Sequence, residues 1–143
     1  MSGPVVRNSA YRHDIAASFA RQGALKLIGA ELDAVEPGLC RVRLPITDKL
    51  HQHHGHVHGG VVGMIGDVAG GYAAMSLFEP AREILTVEYK INFLAPARGT
   101  MLVAEGRVLR AGRSITVTAV EVRAVEEDGD RLCAVLQQTC MPG

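Results

Sequence analysis

Asp67 is the only acidic residue between Asp48 and Glu79, and it sits inside an otherwise apolar run. A carboxylate in such a run is costly to bury unless it is partnered or used. Used chemically, it would serve as a general base or as a nucleophile. Just ahead of it lies His58-Gly59-Gly60. Where a helix opens on two glycines, its first backbone N–H groups point outward at the positive end of the dipole. Such groups could stabilise a carbonyl oxygen that gains negative charge. The same stretch carries His51, His53, His54, His56 and His58. Imidazoles are good zinc or nickel ligands. Their spacing here is irregular and no acidic residue or cysteine sits among them, so no metal site is expected. His58 reads instead as a residue that hydrogen-bonds near the helix start.

A helix over 59–78 must position these groups. With Asp67 at zero and about 100° per residue, Val61, Ile65, Val68 and Tyr72 fall roughly opposite, joined by Val62, Ala69 and Ala73. That stripe can pack on a sheet. Within roughly 60° of Asp67 lie Gly60, Gly63, Met64, Gly70, Gly71 and Ala74. Each interior glycine costs about 1 kcal/mol relative to alanine, so tertiary packing must hold the helix. The glycine face must also admit something close. Two readings stand: a close helix–helix contact with Asp67 paired to an arginine, or a ligand slot that Asp67 faces. Asp67 lies roughly 10–12 Å along the axis from Gly59, so one carbonyl carbon can hardly meet both on one helix. A second, antiparallel copy would bring its Asp67 near the first copy's Gly59. The spacing therefore predicts a composite site in a two-fold dimer.

Around that helix the chain reads as short strands. Residues 1–13 are expected to be irregular and flexible. Asp14 can cap a helix over 14–27, which Gly23 weakens. A hairpin is expected from strands at 30–36 and 39–46 around Pro37-Gly38, with Cys40, Val42 and Leu44 on one face. After Glu79-Pro80 the period changes to two. Leu85, Val87, Tyr89, Ile91 and Phe93 alternate with Thr86, Glu88, Lys90 and Asn92, as in a half-buried strand over 83–93. Strands follow at 100–109, 114–125 and 131–141, joined by short turns that imply antiparallel pairing. The class is α+β, with one long apolar helix against one antiparallel sheet of five to six strands.

Composition narrows the function. At 143 residues the chain, 1–143, has the length of one domain with a real core. Lys plus Arg and Asp plus Glu number 15 each, so no bulk charge draws the chain to nucleic acid or membrane. Only 4% of residues are aromatic and none is Trp, which leaves little on which bases could stack. Glycines and Asp67 interrupt the apolar run, so no membrane span is expected. Cys40, Cys133 and Cys140 are odd in number and lack metal-ligand spacing. They read as reduced apolar residues of a cytoplasmic protein without a signal peptide.

The stretch from Gln52-x-x-Gly55-x-x-His58 through Gly59-Gly60 to Asp67 resembles the hotdog-fold acyl-CoA thioesterases of the PaaI-like group. The likeness continues through LTVEYKINFLAPARG (85–99) and Arg110-Ala-Gly-Arg113-Ser114, and spans about residues 25–141. It implies an antiparallel sheet wrapped around one long helix. It implies Asp67 as general base or nucleophile on the thioester and the Gly59 N–H as the donor that polarises the carbonyl. Gln52 stands where the family commonly has an assisting Asn, and Thr86 matches a hydroxyl that positions water. His58 and Gly60 complete the motif at the helix start. Phe93, Arg98, Arg110, Gly112, Arg113 and Ser114 match substrate positions, the arginine regions toward the coenzyme A nucleotide. The family needs no metal or cofactor, and forms homodimers by joining sheets, often paired into tetramers. Tyr72, Met75, Leu77 and Phe78 are candidates to line an acyl pocket. Hydrolysis of a small aryl or short- to medium-chain acyl-CoA is the function expected. A non-catalytic acyl-CoA-binding module is the alternative, but it has no need of a carboxylate beside a neutral thioester. A dehydratase would require His58 and Asp67 to move protons at the β-carbon, and the surrounding motif fits hydrolysis better.

Overall fold

The computed structural model describes residues 2–143. Six antiparallel strands form one sheet: β1 (Glu31–Glu36), β2 (Leu39–Pro45), β3 (Ile84–Phe93), β4 (Met101–Ala111), β5 (Thr116–Glu126) and β6 (Gly129–Pro142). Their order across the sheet is β1-β2-β4-β5-β6-β3. Helices α1 (Tyr11–Arg21) and α2 (Gly23–Ile28) precede the sheet, and α3 (Gly59–Met75) links β2 to β3. The α3 connection therefore carries the chain from one side of the sheet to its far edge, and the sheet curls around α3. Among the described residues, no helix is long and apolar enough to cross a membrane.

The N-terminal helix differs from expectation. Met1 lies outside the described residues, and 2–8 carry no regular structure. The helix opens at Tyr11, three residues before Asp14, because Asn8 organises the turn ahead of it. Asn8 Oδ1 accepts from the Ala10 N–H at 3.0 Å, and Asn8 Nδ2 donates to Asp14 Oδ2 at 2.8 Å. Asp14 thus sits in the first turn, where its charge faces the positive end of the dipole, and caps nothing. Extended backbone at Gln22 divides the expected single helix into α1 and α2.

The hairpin of β1 and β2 forms as expected, with Cys40, Val42 and Leu44 fully buried. Strand β3 departs from simple alternation. Thr86 pairs with Cys140 and the next pair is Glu88 with Thr139, so Val87 is an extra residue, a β-bulge. Leu85, before the bulge, and Val87, within it, stand exposed, at 53% and 56%. After it, Tyr89 and Phe93 turn toward α3. A strictly alternating strand would place Leu85, Val87 and Tyr89 on one face. The bulge breaks that phase and frees Thr86 to turn inward.

On the glycine face of α3, Asp67 pairs with no arginine among the described residues and opens onto a cleft, while the sheet packs on part of the same face. There a Cβ at Gly70 would meet Gln138 of β6 and Thr118 of β5, and one at Gly63 would meet the Tyr89 hydroxyl of β3. Val62, Ile65, Ala69, Tyr72 and Ala73 are buried as expected. A helix wrapped on nearly all sides needs small residues where the strands come closest, and tertiary burial offsets the weak helix propensity.

Candidate active site

The loop before α3 is built from the Gln52-x-x-Gly55-x-x-His58 motif. The Gly55 N–H bonds the Gln52 carbonyl at 3.1 Å, and Gly55 adopts φ +81°, which closes the turn. The His58 N–H reaches back to the Leu50 carbonyl at 2.8 Å. His58 is the N-cap of α3, a position more often held by Ser, Thr, Asp or Asn. Its Nδ1 accepts from the Gly60 N–H at 2.8 Å, so this ring nitrogen is unprotonated. The Gly60 N–H is thereby occupied. The Gly59 N–H has no hydrogen-bond acceptor among the described residues.

Gly59 opens onto a cleft of about 580 Å³ lined by Gln52, His56, His58, Val62, Phe93 and Ala97, among others. The Phe93 ring lies against Gly59: a Cβ there would come within 2.9 Å of it, so only glycine fits beneath the ring in this arrangement. Gln52 borders the same cleft, but its amide serves its own loop. Its Oε1 accepts from the His54 N–H, and its Nε2 lies 3.3 Å from His56 Nε2. The other histidines do not converge. The His53 and His54 rings lie against each other, tilted by 42° with centroids 3.9 Å apart, and His51 lies beside Asp48. Among the described residues, no three His, Cys, Asp or Glu side chains are placed to hold a metal ion.

Asp67, two turns further along α3, is half-buried and opens onto a different, smaller cleft of about 160 Å³. Gln22, Val68, Gly71, Tyr72, Ile84 and Thr86 complete its lining. Thr86 Oγ1 donates to Asp67 Oδ1 at 2.7 Å. Gln138 Nε2 donates to the same oxygen at 2.5 Å. Gln138, on β6, escapes a reading of the sequence. One of two adjacent glutamines in a strand carries no mark of which faces inward, and Gln138 is fully buried. Cys140, on the same rung as Thr86, is no rival nucleophile. Burial, and then the Asp67 charge, push its thiol up to about 12, so it stays protonated at neutral pH.

The basic residues split between the two ends of the sheet. Arg98 follows Ala97 at the Gly59 end. The 110–114 turn lies at the other end, where Gly112 and Arg113 border a cleft of about 540 Å³ with Leu77, Phe78 and Arg82. Arg110, Arg113 and Ser114 are exposed. Of the acyl-pocket candidates, only Tyr72 shares a cleft with Asp67. Leu77 and Phe78 line the far cleft instead. Within one chain, then, Asp67, Thr86 and Tyr72 come together, and so do Gly59, Gln52 and Phe93, but the two groups do not meet.

Comparison with known proteins bears on the class of this site. The family model of the thioesterase superfamily matches residues 54–133, more than half of the chain, which hold the end of the loop from Gly55 to His58, α3, and strands β3, β4 and β5. A solved thioesterase family protein from Silicibacter pomeroyi superposes with a TM-score of 0.90 at 37% identity, over 92% of this chain and 97% of that one. The 1,4-dihydroxy-2-naphthoyl-CoA hydrolase of Listeria monocytogenes is 31% identical over 111 residues, 78% of this chain and 89% of its own length. The PaaI protein of the E. coli phenylacetic acid degradation operon shares the fold, with a TM-score of 0.83 at 19% identity, over 97% and 96% of the two chains. A lone carboxylate on a central helix, an uncommitted N–H at that helix's start and a curled six-stranded sheet thus have one home: this chain belongs to the thioesterase superfamily and is a thioester hydrolase of the hotdog fold.

Proposed function

We propose that the chain, acting as one hotdog domain in a cytoplasmic homodimer or dimer of dimers, hydrolyses acyl-CoA to free acid and coenzyme A. The observation that carries this reading is the half-buried Asp67 carboxylate, held through Oδ1 by Thr86 and Gln138 at the edge of a cleft. A binding module for a neutral thioester gains nothing from such a group. In the reaction, the thioester carbonyl oxygen gains charge as the carbonyl carbon becomes tetrahedral, and the Gly59 N–H donates to it. Asp67 either attacks that carbon itself or takes a proton from the water that does. The C–S bond then breaks and coenzyme A leaves as a thiolate. On the base route the thiolate takes up the proton that Asp67 removed from water. On the nucleophilic route water hydrolyses the acyl–Asp67 anhydride to free acid and regenerated carboxylate, its released proton going to the thiolate. Thr86 Oγ1, its proton directed to Asp67, keeps a lone pair for a positioned water. Gln52 assists at the carbonyl if its amide turns out of its loop, and His58 holds the helix start in place.

Two features support a site shared between subunits. Gly59 and Asp67 lie about 12 Å apart along one helix and open onto separate clefts. Strand β3 is an edge with unpaired backbone groups and exposed Leu85, Val87 and Phe93. A partner joined along β3 by a two-fold axis would bring its α3 antiparallel to the first. Arg98, Arg110, Gly112, Arg113 and Ser114 would then reach the coenzyme A nucleotide from two chains, with Gly60 and Phe93 framing the thioester. A small aryl or short- to medium-chain acyl group suits the modest cleft beside Asp67. The hydrolase from Listeria monocytogenes, named for a naphthoyl-CoA, points the same way.

Asp67→Asn tests the reading, because it keeps shape while removing charge and basicity. With a panel of aryl and short- and medium-chain acyl-CoAs, kcat is expected to fall about 10²- to 10⁴-fold. KM should change little, since other residues hold the nucleotide. A variant that keeps kcat within a few-fold and loses its dimer instead would make Asp67 structural.

A further inference from the structure

Asp67 is held from within the core. Gln138 Nε2 donates to Asp67 Oδ1 at 2.5 Å and lies 3.1 Å from the Asp67 carbonyl and 3.0 Å from Thr86 Oγ1. Three oxygens thus face the amide nitrogen, which fixes which way round the amide sits. At the other end Gln138 Oε1 accepts from Thr118 Oγ1 at 3.0 Å. Gln138 and Thr118 are both wholly buried. A leucine would fill such a site without a polar atom, whereas a buried amide is tolerable only while its partners stay in place. Helix α3 leaves the necessary space: a Cβ at Gly70 would overlap Gln138 Oε1 and lie 2.8 Å from Thr118 Oγ1. Both side-chain donors fall on Oδ1, and none among the described residues reaches Oδ2.

We propose that Gln138, oriented by Thr118, is a positioning residue that locks the Asp67 carboxylate by Oδ1 and leaves Oδ2 alone to meet the thioester or its attacking water. The inference rests on Asp67 being the catalytic carboxylate. Without the lock, the carboxylate swings between rotamers and the reactive oxygen is misplaced, which lowers turnover more than binding. Thr86 alone remains on Oδ1, and its hydroxyl loses the Gln138 donor that orients it in turn.

A double-mutant cycle in kcat separates this from a merely structural role. Gln138→Leu, Asp67→Asn and the pair are measured on one acyl-CoA, with folding followed by circular dichroism. Gln138→Leu is expected to lower kcat about 10- to 100-fold with KM within about 3-fold. In the Asp67→Asn background it should lower kcat less than about 3-fold further, since nothing is left to position. The same fold-loss in both backgrounds, or no loss with Asp67 intact, overturns the proposal. If Gln138→Leu does not fold, Thr118→Val, which frees the amide without removing it, is read in the same cycle by the same criteria. Full activity of Asp67→Asn would instead fail the catalytic assignment, and the positioning role with it. An inactive Asp67→Asn beside a fully active Gln138→Leu fails the positioning role alone.

Discussion

Asp67 and the thiol of Cys140 lie within one small neighbourhood, and their environments separate their chemistry. The carboxylate is half-buried and collects hydrogen-bond donors, while the thiol is sealed in the core. Cys40 is likewise raised to about 12 by burial, only slightly opposed by Arg41. Burial raises the Cys133 thiol as well, and this residue borders the Gly59 cleft. A thiol held protonated and out of solvent reacts slowly. N-Ethylmaleimide at neutral pH should therefore leave turnover intact and modify no cysteine in the folded protein, as read by intact mass. Rapid modification with loss of activity would show that a thiolate is exposed in or beside the site. Gln138, the buried amide that bonds Asp67, could not be read from the chain. Its inward face is set by the register of β6 against β3 and β5, a long-range property that the local pattern LQQTC does not encode.

At the scale of the elements, α3 is the clearest case of a sequence signal with two meanings. Its glycines mark close approach, and that much was legible. Which strands approach was not, because a wheel describes one helix and the sheet's curl brings in residues such as Gln138, 71 positions from Asp67. The β3 bulge escaped for a similar reason: alternation in LTVEYKINF is unbroken in sequence, and only pairing with β6 shows where one residue is extra. The hairpin, the succession of elements along the chain and the helix start at Gly59 were legible, because turn residues and periodicity are local signals. The sheet order was not: β3 pairs with the distant β6 rather than with β4, the strand that follows it after a short turn. Two adjacent glycines test the packing directly. A Cβ at Gly70 would strike Gln138, Thr118 and Val120, whereas one at Gly71 would meet only Ile84 at 3.5 Å, an ordinary contact. Gly70→Ala should destabilise by about 1–3 kcal/mol, overpacking outweighing the helix-propensity gain. Gly71→Ala should be neutral or stabilise by up to about 1 kcal/mol. Denaturant unfolding of the two variants checks the pair. Equal effects would mean that α3 does not lie against β5 and β6 as described.

For the whole molecule, the central question is whether one chain holds a complete site. The uncommitted Gly59 N–H and the Asp67 carboxylate lie two turns apart on α3 and face different clefts, and the edge strand β3 offers unpaired backbone to a second copy. If each site takes its oxyanion donor from one subunit and its carboxylate from the other, two different inactive variants must rescue each other. Gly59→Pro supplies the first defect: proline is well suited to the first helical position and removes the N–H. The added ring atoms press on the far end of the Phe93 ring, which must shift to admit them, so circular dichroism and sedimentation of this variant alone check that it folds and assembles. Loss of one oxyanion donor should lower kcat about 10²- to 10³-fold. Asp67→Asn supplies the second defect. Co-expressed in equal amounts and paired at random, half of the dimers hold one chain of each kind, and each of these carries one intact site and one doubly damaged site. Activity should recover to about a quarter of the wild-type value. Sedimentation of the mixture confirms the dimer on which that figure depends. Activity no greater than that of the separate variants would place both groups in the service of one chain and dissolve the shared site.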